Sequence, residues 1–336
     1  MNPIDLLITV PLPPLLVERI QAVSSRLRIN LIPTRDAEAI AVDKWQNTEI
    51  LYTDFVLPDL GKINRLRWIQ SHTTDLGFIQ QSPLGKNEMI VITNMSGIES
   101  HAVAEYVVMM MLVLTRQFFS SRVRDTAAPN RQGMPGQKWN LNGAVVGIIG
   151  YGSVGREVAR LLQPFGMTIL ATKRDVMDPT DSGYFIPGMG DPKGDLFHRL
   201  YPPQAIKSMV KECDFVVVCL PSCPSTKGLI GASMIHLMKP TSFYIHVSQP
   251  DVVDIQAFTD AIVERRIRGA AFDIQIPSSL SADHPLFKSP EIILTPRIAG
   301  ETEDYMDKAI ELFIENLRRY LEGLPLLNQY HPIRGY

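Results

Sequence analysis

Three glycines carry the first chemistry legible in this chain. Gly150, Gly152 and Gly155, in Gly150-Tyr151-Gly152-Ser153-Val154-Gly155, have the G-x-G-x-x-G spacing. In such a turn the first glycine permits a tight bend and the second lets backbone N–H groups approach a pyrophosphate. The third lets a helix pack close against a strand. A helix opening there aims its free N–H groups and positive dipole end at the phosphates. The pattern alone is weak evidence, so its flanks decide. Residues 144–149 are an apolar, β-branched run, the composition of a strand buried on both faces. Beyond the glycines, Val154, Val158, Leu161 and Leu162 recur at helical spacing. Strand, glycine turn and amphipathic helix together predict a dinucleotide site.

The next strand bears on which dinucleotide. An acidic residue about 20 positions past the glycines ordinarily bonds the ribose 2′-hydroxyl. Here Thr172, Lys173 and Arg174 stand at that place. Two cations and a hydroxyl suit a 2′-phosphate, which a carboxylate would repel. NADP(H) is therefore favoured over NAD(H). A small shift of register would return the acid Asp175 to the ribose, and a solvated turn with no role is the plain alternative.

These residues need a scaffold of alternating strands and helices. Strands are expected at 6–10, 49–52, 66–69 and 89–92, with a helix at 15–25, giving a small α/β domain ahead of the nucleotide fold. A nearly all-apolar helix follows at 101–114, then a polar, Pro/Gly-rich connection at 115–142 expected on the surface. Further strands are expected at 168–171, 215–220, 242–247, 269–274 and 292–295. Helices are expected at 205–211, 234–238, 254–264 and 303–321. Residues 176–200 hold several Pro and Gly residues without periodicity and read as an extended loop. Alternation of this kind implies an α/β fold with parallel, doubly wound sheets.

Composition narrows the class. A chain of 336 residues is long for one core, so two domains are expected. A formal net charge of −2, with no Lys/Arg run, argues against a nucleic-acid partner. The cysteines Cys213, Cys219 and Cys223 are odd in number and lack metal-ligand companions, so no metal is expected and a reduced, cytoplasmic compartment fits. The N-terminal stretch lacks a basic region and is broken by prolines, so it reads as a first strand rather than a signal peptide. Residues 107–114 are too few to cross a bilayer, and no membrane partner is expected.

From residue 66 onward the chain resembles the D-isomer-specific 2-hydroxyacid dehydrogenases. The blocks LRWIQSHTT, NMSGIESHAVAEYVVMMMLVLTR, GIIGYGSVGREVARLLQPFGM, DFVVVCLPSCPSTKGLIGASMIHLMKP, FYIHVSQPDVVD, GAAFDI and HPLFKSPEIILTPRIAGET carry the likeness in order. It implies two doubly wound parallel-sheet domains, Rossmann-like and flavodoxin-like, with a cleft between them. The substrate domain would be discontinuous, residues 1–100 plus 299–336, and the NAD(P)-binding domain 101–298. It also implies a homodimer, a small-molecule ligand in the cleft, and hydride exchange between a nicotinamide and a 2-hydroxy or 2-oxo acid. Beside the glycine turn, the resemblance assigns cofactor contact to Leu220, Pro221, Thr226, Val247, Ser248 and Asp273.

The same resemblance exposes departures. The family grips substrate with an arginine, exchanges a proton through a histidine in T-P-H, and tunes that histidine with a glutamate. In this chain Gln249 stands for the arginine, Arg297 for the histidine and Ser278 for the glutamate. In the substrate loop, Thr73, Thr74 and Asp75 occupy the carboxylate-binding turn, with Asp75 in place of a glycine. An arginine, with a pKa above ~12, has no useful proton to give at neutral pH. Losing general acid–base help alone costs roughly 10²–10⁴-fold. His246 falls where the family has asparagine and is expected to tie its loop; His101 is expected at a helix start and His284 in a turn. The expectation is a nucleotide-binding protein, possible pseudoenzyme in type, with ordinary 2-hydroxyacid turnover lost or strongly weakened. The alternative is an active NADP(H)-dependent oxidoreductase of altered substrate, with Arg297 as electrostatic catalyst.

Overall fold

Continuous apolar runs in the sequence become strands whose two faces feed separate cores. The computed structural model describes residues 3–118, 140–275, 281 and 283–336. In chain order the elements are β1 (Ile4–Ile8), α1 (Pro14–Gln21), β2 (Leu27–Leu31), α2 (Val42–Asn47), β3 (Ile50–Thr53), β4 (Trp68–Ser71), α3 (Gly77–Gln80) and β5 (Val91–Thr93). Then come α4 (Ser100–Arg116), β6 (Val145–Ile149), α5 (Ser153–Leu162), β7 (Thr168–Thr172), β8 (Arg199–Tyr201), α6 (Ile206–Val210), β9 (Phe215–Val218) and α7 (Ala232–Ile235). The chain closes with β10 (Phe243–His246), α8 (Ile255–Val263), β11 (Gly269–Asp273), α9 (Pro285–Lys288), β12 (Ile292–Thr295) and α10 (Tyr305–Glu322).

Clustering of contacts gives two units. The first holds Met1–Ile98, Ser182–Tyr184 and Thr302–Tyr336; the second holds Glu99–Asp181 and Phe185–Glu301. In the first unit five parallel strands run in the order β2-β1-β3-β4-β5, the flavodoxin-like arrangement. Leu6, Ile8 and Tyr52 face Ile310, Phe313 and Leu317 of α10, while Leu7, Leu51 and Ile69 face Trp45 and Leu84 on the other side.

The second unit has seven parallel strands in the order β12-β11-β10-β9-β6-β7-β8. Strand order reverses between β6 and β9, which is where doubly wound sheets bind ligands, outside the carboxyl ends of the strands. Along β6, Val146 and Ile148 join the core under α4 and α5, whereas Ile149 joins the core with Met209, Met234 and Phe258. Burial on both faces is why the run has no polar alternation.

Two elements fall in the stretch 26–48, which carried no expectation, and one expectation needs correction. The stretch 27–31, LRINL, is a strand, β2, at the edge of its sheet, with Leu27 buried and Arg28 and Leu31 exposed. Residues 42–47 form a short helix built around buried Trp45. The stretch 176–200 is not wholly loop: Arg199–Tyr201 is β8, too short to show a period of two. Most of the expected surface connection at 115–142 lies outside the described residues.

Candidate active site

The glycine turn follows β6 at the switch point. Gly150 has φ +103°, and a Cβ there would fall 2.7 Å from the carbonyl oxygen of Cys219, at the end of β9. A side chain is thus excluded twice, by backbone conformation and by the neighbouring strand. Its N–H donates to Thr172 Oγ1 at 3.0 Å, and the Tyr151 N–H to the Thr172 carbonyl at 2.8 Å. Gly155, in the first turn of α5, would place a Cβ 2.2 Å from the Gly150 oxygen. Gly152 differs: a Cβ there would meet nothing within 4 Å. Two glycines are therefore demanded by packing, while the third leaves an open approach to the amide-bearing start of α5. Ser153 and Val154 lie in that first turn, half-buried. The surface fits a pyrophosphate.

At the tip of β7, Thr172 is spent on the glycine turn. The Lys173 ammonium donates to the carbonyls of Asp178 and Thr180, the latter at 2.7 Å. Burial, and then the charge of Arg156, lower its pKa from the ordinary lysine value. Arg174 is exposed. Asp175 turns its carboxylate onto the N–H groups of Met177 and Asp178, at 2.9 and 3.3 Å.

Side chains fasten the ends of β9 and β10 to each other. Ser248 Oγ accepts from the Leu220 N–H at 2.7 Å and donates to the Val218 carbonyl at 3.1 Å. Thr226 Oγ1 donates to the Pro221 carbonyl at 2.6 Å, and the Val247 N–H reaches the Val218 carbonyl at 3.1 Å.

Gln249 and Arg297 meet one another. Arg297 Nη1 donates to Gln249 Oε1 at 2.5 Å. Arg297 is exposed and holds a left-handed backbone, φ +60°, a conformation uncommon for a non-glycine residue. Asp273 fixes the segment that carries it. This buried carboxylate accepts from Thr295 Oγ1 at 2.6 Å and from the N–H groups of Ile298 and Ala299 at 2.9 Å each. The Tyr106 hydroxyl in turn donates to Thr295 Oγ1 at 2.6 Å. Ser278 lies outside the described residues.

The histidines His246, His101 and His284 are each held by local hydrogen bonds. His246 is fully buried; its Nε2 donates to the Gln249 carbonyl at 3.0 Å and its Nδ1 accepts from the Tyr244 hydroxyl at 2.8 Å. The carbonyl can only accept, which sets that tautomer. Burial lowers the His246 pKa to about 4, so the ring is neutral at pH 7 and ties its loop. His101, in the first turn of α4, sits 2.6 Å from Glu157 Oε1. His284 caps α9, accepting from the Leu286 N–H at 3.3 Å.

In the first unit, the loop after β4 is held by its own side chains. Ser71 Oγ donates to the Thr73 carbonyl at 3.1 Å, Thr73 Oγ1 donates to the Asp75 carbonyl at 2.9 Å, and the Gly77 N–H donates to Asp75 Oδ1 at 2.8 Å. Thr74 and Asp75 are exposed.

Sequence reasoning missed a buried ionic cluster beside the glycine turn. Arg156, 2% exposed, donates to the carbonyls of Asp191 (2.5 Å), Pro179 (2.6 Å) and Thr180 (3.1 Å). Its guanidinium also lies over the Tyr151 ring, 4.8 Å from the centroid. The Tyr151 hydroxyl donates to Asp191 Oδ2 at 2.7 Å. Burial pushes the Asp191 carboxyl up, but Tyr151 and the N–H groups of Leu196 and Asp195 outweigh it and hold the pKa below the ordinary value. Neighbouring Glu157 takes Arg160 at 2.6 Å and the Gly190 N–H at 2.5 Å. Pro179, Thr180, Gly190 and Asp191 are thereby clamped to α5. The one available signal was an Arg-Glu pair immediately after the third glycine.

The second unit is thus a dinucleotide-binding fold of the Rossmann type, and the comparisons place it further. Residues 108–299, more than half the chain, match the family model described as "D-isomer specific 2-hydroxyacid dehydrogenase, NAD binding domain". The chain belongs to that family. A glyoxylate reductase of Thermofilum pendens is 29% identical over 242 residues, covering 70% of this chain and 66% of that protein. An (S)-sulfolactate dehydrogenase of Chromohalobacter salexigens is 26% identical over 265 residues, covering 79% and 78%. Among solved structures, a D-isomer specific 2-hydroxyacid dehydrogenase of Xanthobacter autotrophicus, in complex with NADPH and MES, is similar in fold. It has a TM-score of 0.77 at 19% identity and covers the whole of both chains. Among the described residues no helix is long and apolar enough to cross a membrane, and no cluster of His, Cys, Asp or Glu suits a metal ion.

Proposed function

We propose that this chain binds NADP(H) on its second unit and has lost, or keeps only weakly, the proton-coupled hydride exchange of ordinary 2-hydroxy and 2-oxo acids. One observation carries the reading: Arg297 and Gln249, at the positions of the parental acid and anchor, hydrogen-bond to each other at 2.5 Å. A guanidinium cannot donate a proton at neutral pH and a carboxamide has no charge to grip a carboxylate. When bound, the nicotinamide supplies or takes up a hydride. In this reading Gly150, Tyr151, Gly152, Ser153, Val154 and Gly155 hold the pyrophosphate and Arg174 favours a 2′-phosphate. Leu220, Pro221, Thr226, Val247, Ser248 and Asp273 shape the remaining wall. Residues 101–298 form the cofactor domain and residues 1–100 with 299–336 the substrate domain, in a cytoplasmic homodimer. Titration with NADPH and NADH by fluorescence, followed by a panel of glyoxylate, hydroxypyruvate, other 2-oxo acids and neutral aldehydes, tests it.

The second reading is an active NADP(H)-dependent oxidoreductase acting on glyoxylate, hydroxypyruvate or an altered substrate. It is favoured by the exposure of the Arg297 guanidinium, a cation able to stabilise developing negative charge. Steady turnover on that panel, well above background, decides for it.

A further inference from the structure

Glu99 is the residue at this corner that neither the sequence pattern nor the proposed function uses. It precedes α4 as its N-cap residue, yet its side chain makes no capping bond. Among the described residues no hydrogen-bond or ion-pair partner of its carboxyl occurs. The carboxyl instead lies against the backbone of Gly300, close enough that a Cβ there would fall 2.7 Å from Glu99 Oε1. Gly300 is three residues from Arg297, whose guanidinium turns to Gln249 rather than to Glu99. Burial raises the Glu99 pKa, and the nearby charge of Arg297 opposes that rise. A cation and a half-buried acid therefore flank one four-residue stretch, 297–300, without pairing. A plain counterion of Arg297 would close onto it. A ligand cation placed against the Glu99 carboxylate would form a charge-assisted hydrogen bond there.

We infer that this corner takes an α-amino or α-imino acid, with the ligand carboxylate on Arg297 and its positively charged nitrogen on Glu99. This rests on the proposed function and names the ligand class of that same site. The absent proton donor agrees with it. Hydride addition to a ketone carbon leaves an alkoxide that must gain a proton. Addition of the same two electrons and hydrogen nucleus to the carbon of a protonated C=N group moves the π pair onto nitrogen. That leaves a neutral amine and needs no donor. A 2-hydroxy acid offers Glu99 only a neutral hydroxyl, and a simple amine offers Arg297 nothing.

The test is calorimetry on the full chain with NADPH present, a combination in which saturated probes cannot react. The probes are both enantiomers of alanine and leucine, the corresponding 2-hydroxy acids, and ethylamine. One amino acid of the set binds at least about tenfold more tightly than its hydroxy counterpart and than ethylamine. Glu99→Gln, checked for folding by thermal denaturation, removes that preference. Arg297→Leu weakens both acids. Equal or tighter binding of the hydroxy acids, no binding by any probe, or an undiminished preference in Glu99→Gln overturns the inference. The same titrations without nucleotide, beside a separate NADPH titration, keep its failure distinct from failure of the cofactor reading.

Discussion

The guanidinium of Arg297 donates to the side-chain oxygen of Gln249 at 2.5 Å, so two residues far apart in sequence meet in space. Asp273 pins the backbone just beyond Arg297 through the N–H groups of Ile298 and Ala299, and the His246–Gln249 bond pins the other side. The corner is braced from both sides.

Restoring those groups should restore the parental reaction. Gln249→Arg, Ser278→Glu and Arg297→His together are expected to raise 2-oxo acid reduction by about 10²-fold or more, the usual worth of general acid–base help. Steady-state assays with glyoxylate and pyruvate check this. A triple variant that binds nucleotide normally and stays inert means that those positions are misassigned.

The glycines of the turn should separate by role. Gly152→Ala meets open space, so its melting temperature should stay within about 2 °C of the parent while NADPH affinity falls about tenfold or more. Gly155→Ala forces a Cβ to within 2.2 Å of a backbone oxygen and should cost about 1–3 kcal/mol of stability. Thermal denaturation beside nucleotide titration distinguishes the two.

Cofactor preference should rest on Arg174, which is exposed beyond the end of β7, while the Lys173 ammonium holds loop carbonyls. Arg174→Ala is expected to weaken NADPH by about tenfold and leave NADH unchanged. Lys173→Ala is expected to loosen the 175–181 turn, read as faster limited proteolysis there. Equal loss of both nucleotides in Arg174→Ala would place the 2′-phosphate elsewhere.

Acid should destabilise the fold well before its carboxylates titrate. Burial lowers the pKa of both His246 and His72 to about 4. Between the ordinary value near 6.5 and about 4, the unfolded chain binds protons that the folded chain refuses, so stability falls as pH falls through that window. For His246, whose side chain is fully buried, the loss is on the order of 3 kcal/mol. Melting temperatures measured from pH 7.5 to 4.5 should decline steadily; a flat profile contradicts this.

Much of the scaffold was legible because its strands are buried on both faces. The runs ending at Ile149 and Val218 announce themselves without any partner in view, and the glycine spacing follows directly from the packing that Gly150 and Gly155 obey. The pairing of Arg297 with Gln249 was not legible, since 48 residues separate them and only the sheet order brings β10 and β12 ends near each other. Nor was the Arg156 clamp: its acceptors are backbone carbonyls of Pro179, Thr180 and Asp191, which leave no mark on residue type. Edge strand β2 and three-residue β8 escaped because neither buries enough surface to impose a pattern.

The most direct measurement loads the purified chain with NADPH, confirms saturation by fluorescence, adds glyoxylate, and follows the reduced nicotinamide through its first turnover. The account predicts a saturable complex whose nicotinamide stays reduced, at least about 10²-fold longer than a single ordinary enzymatic cycle. Oxidation at roughly 1–10³ s⁻¹, the common range for working enzymes, would contradict it.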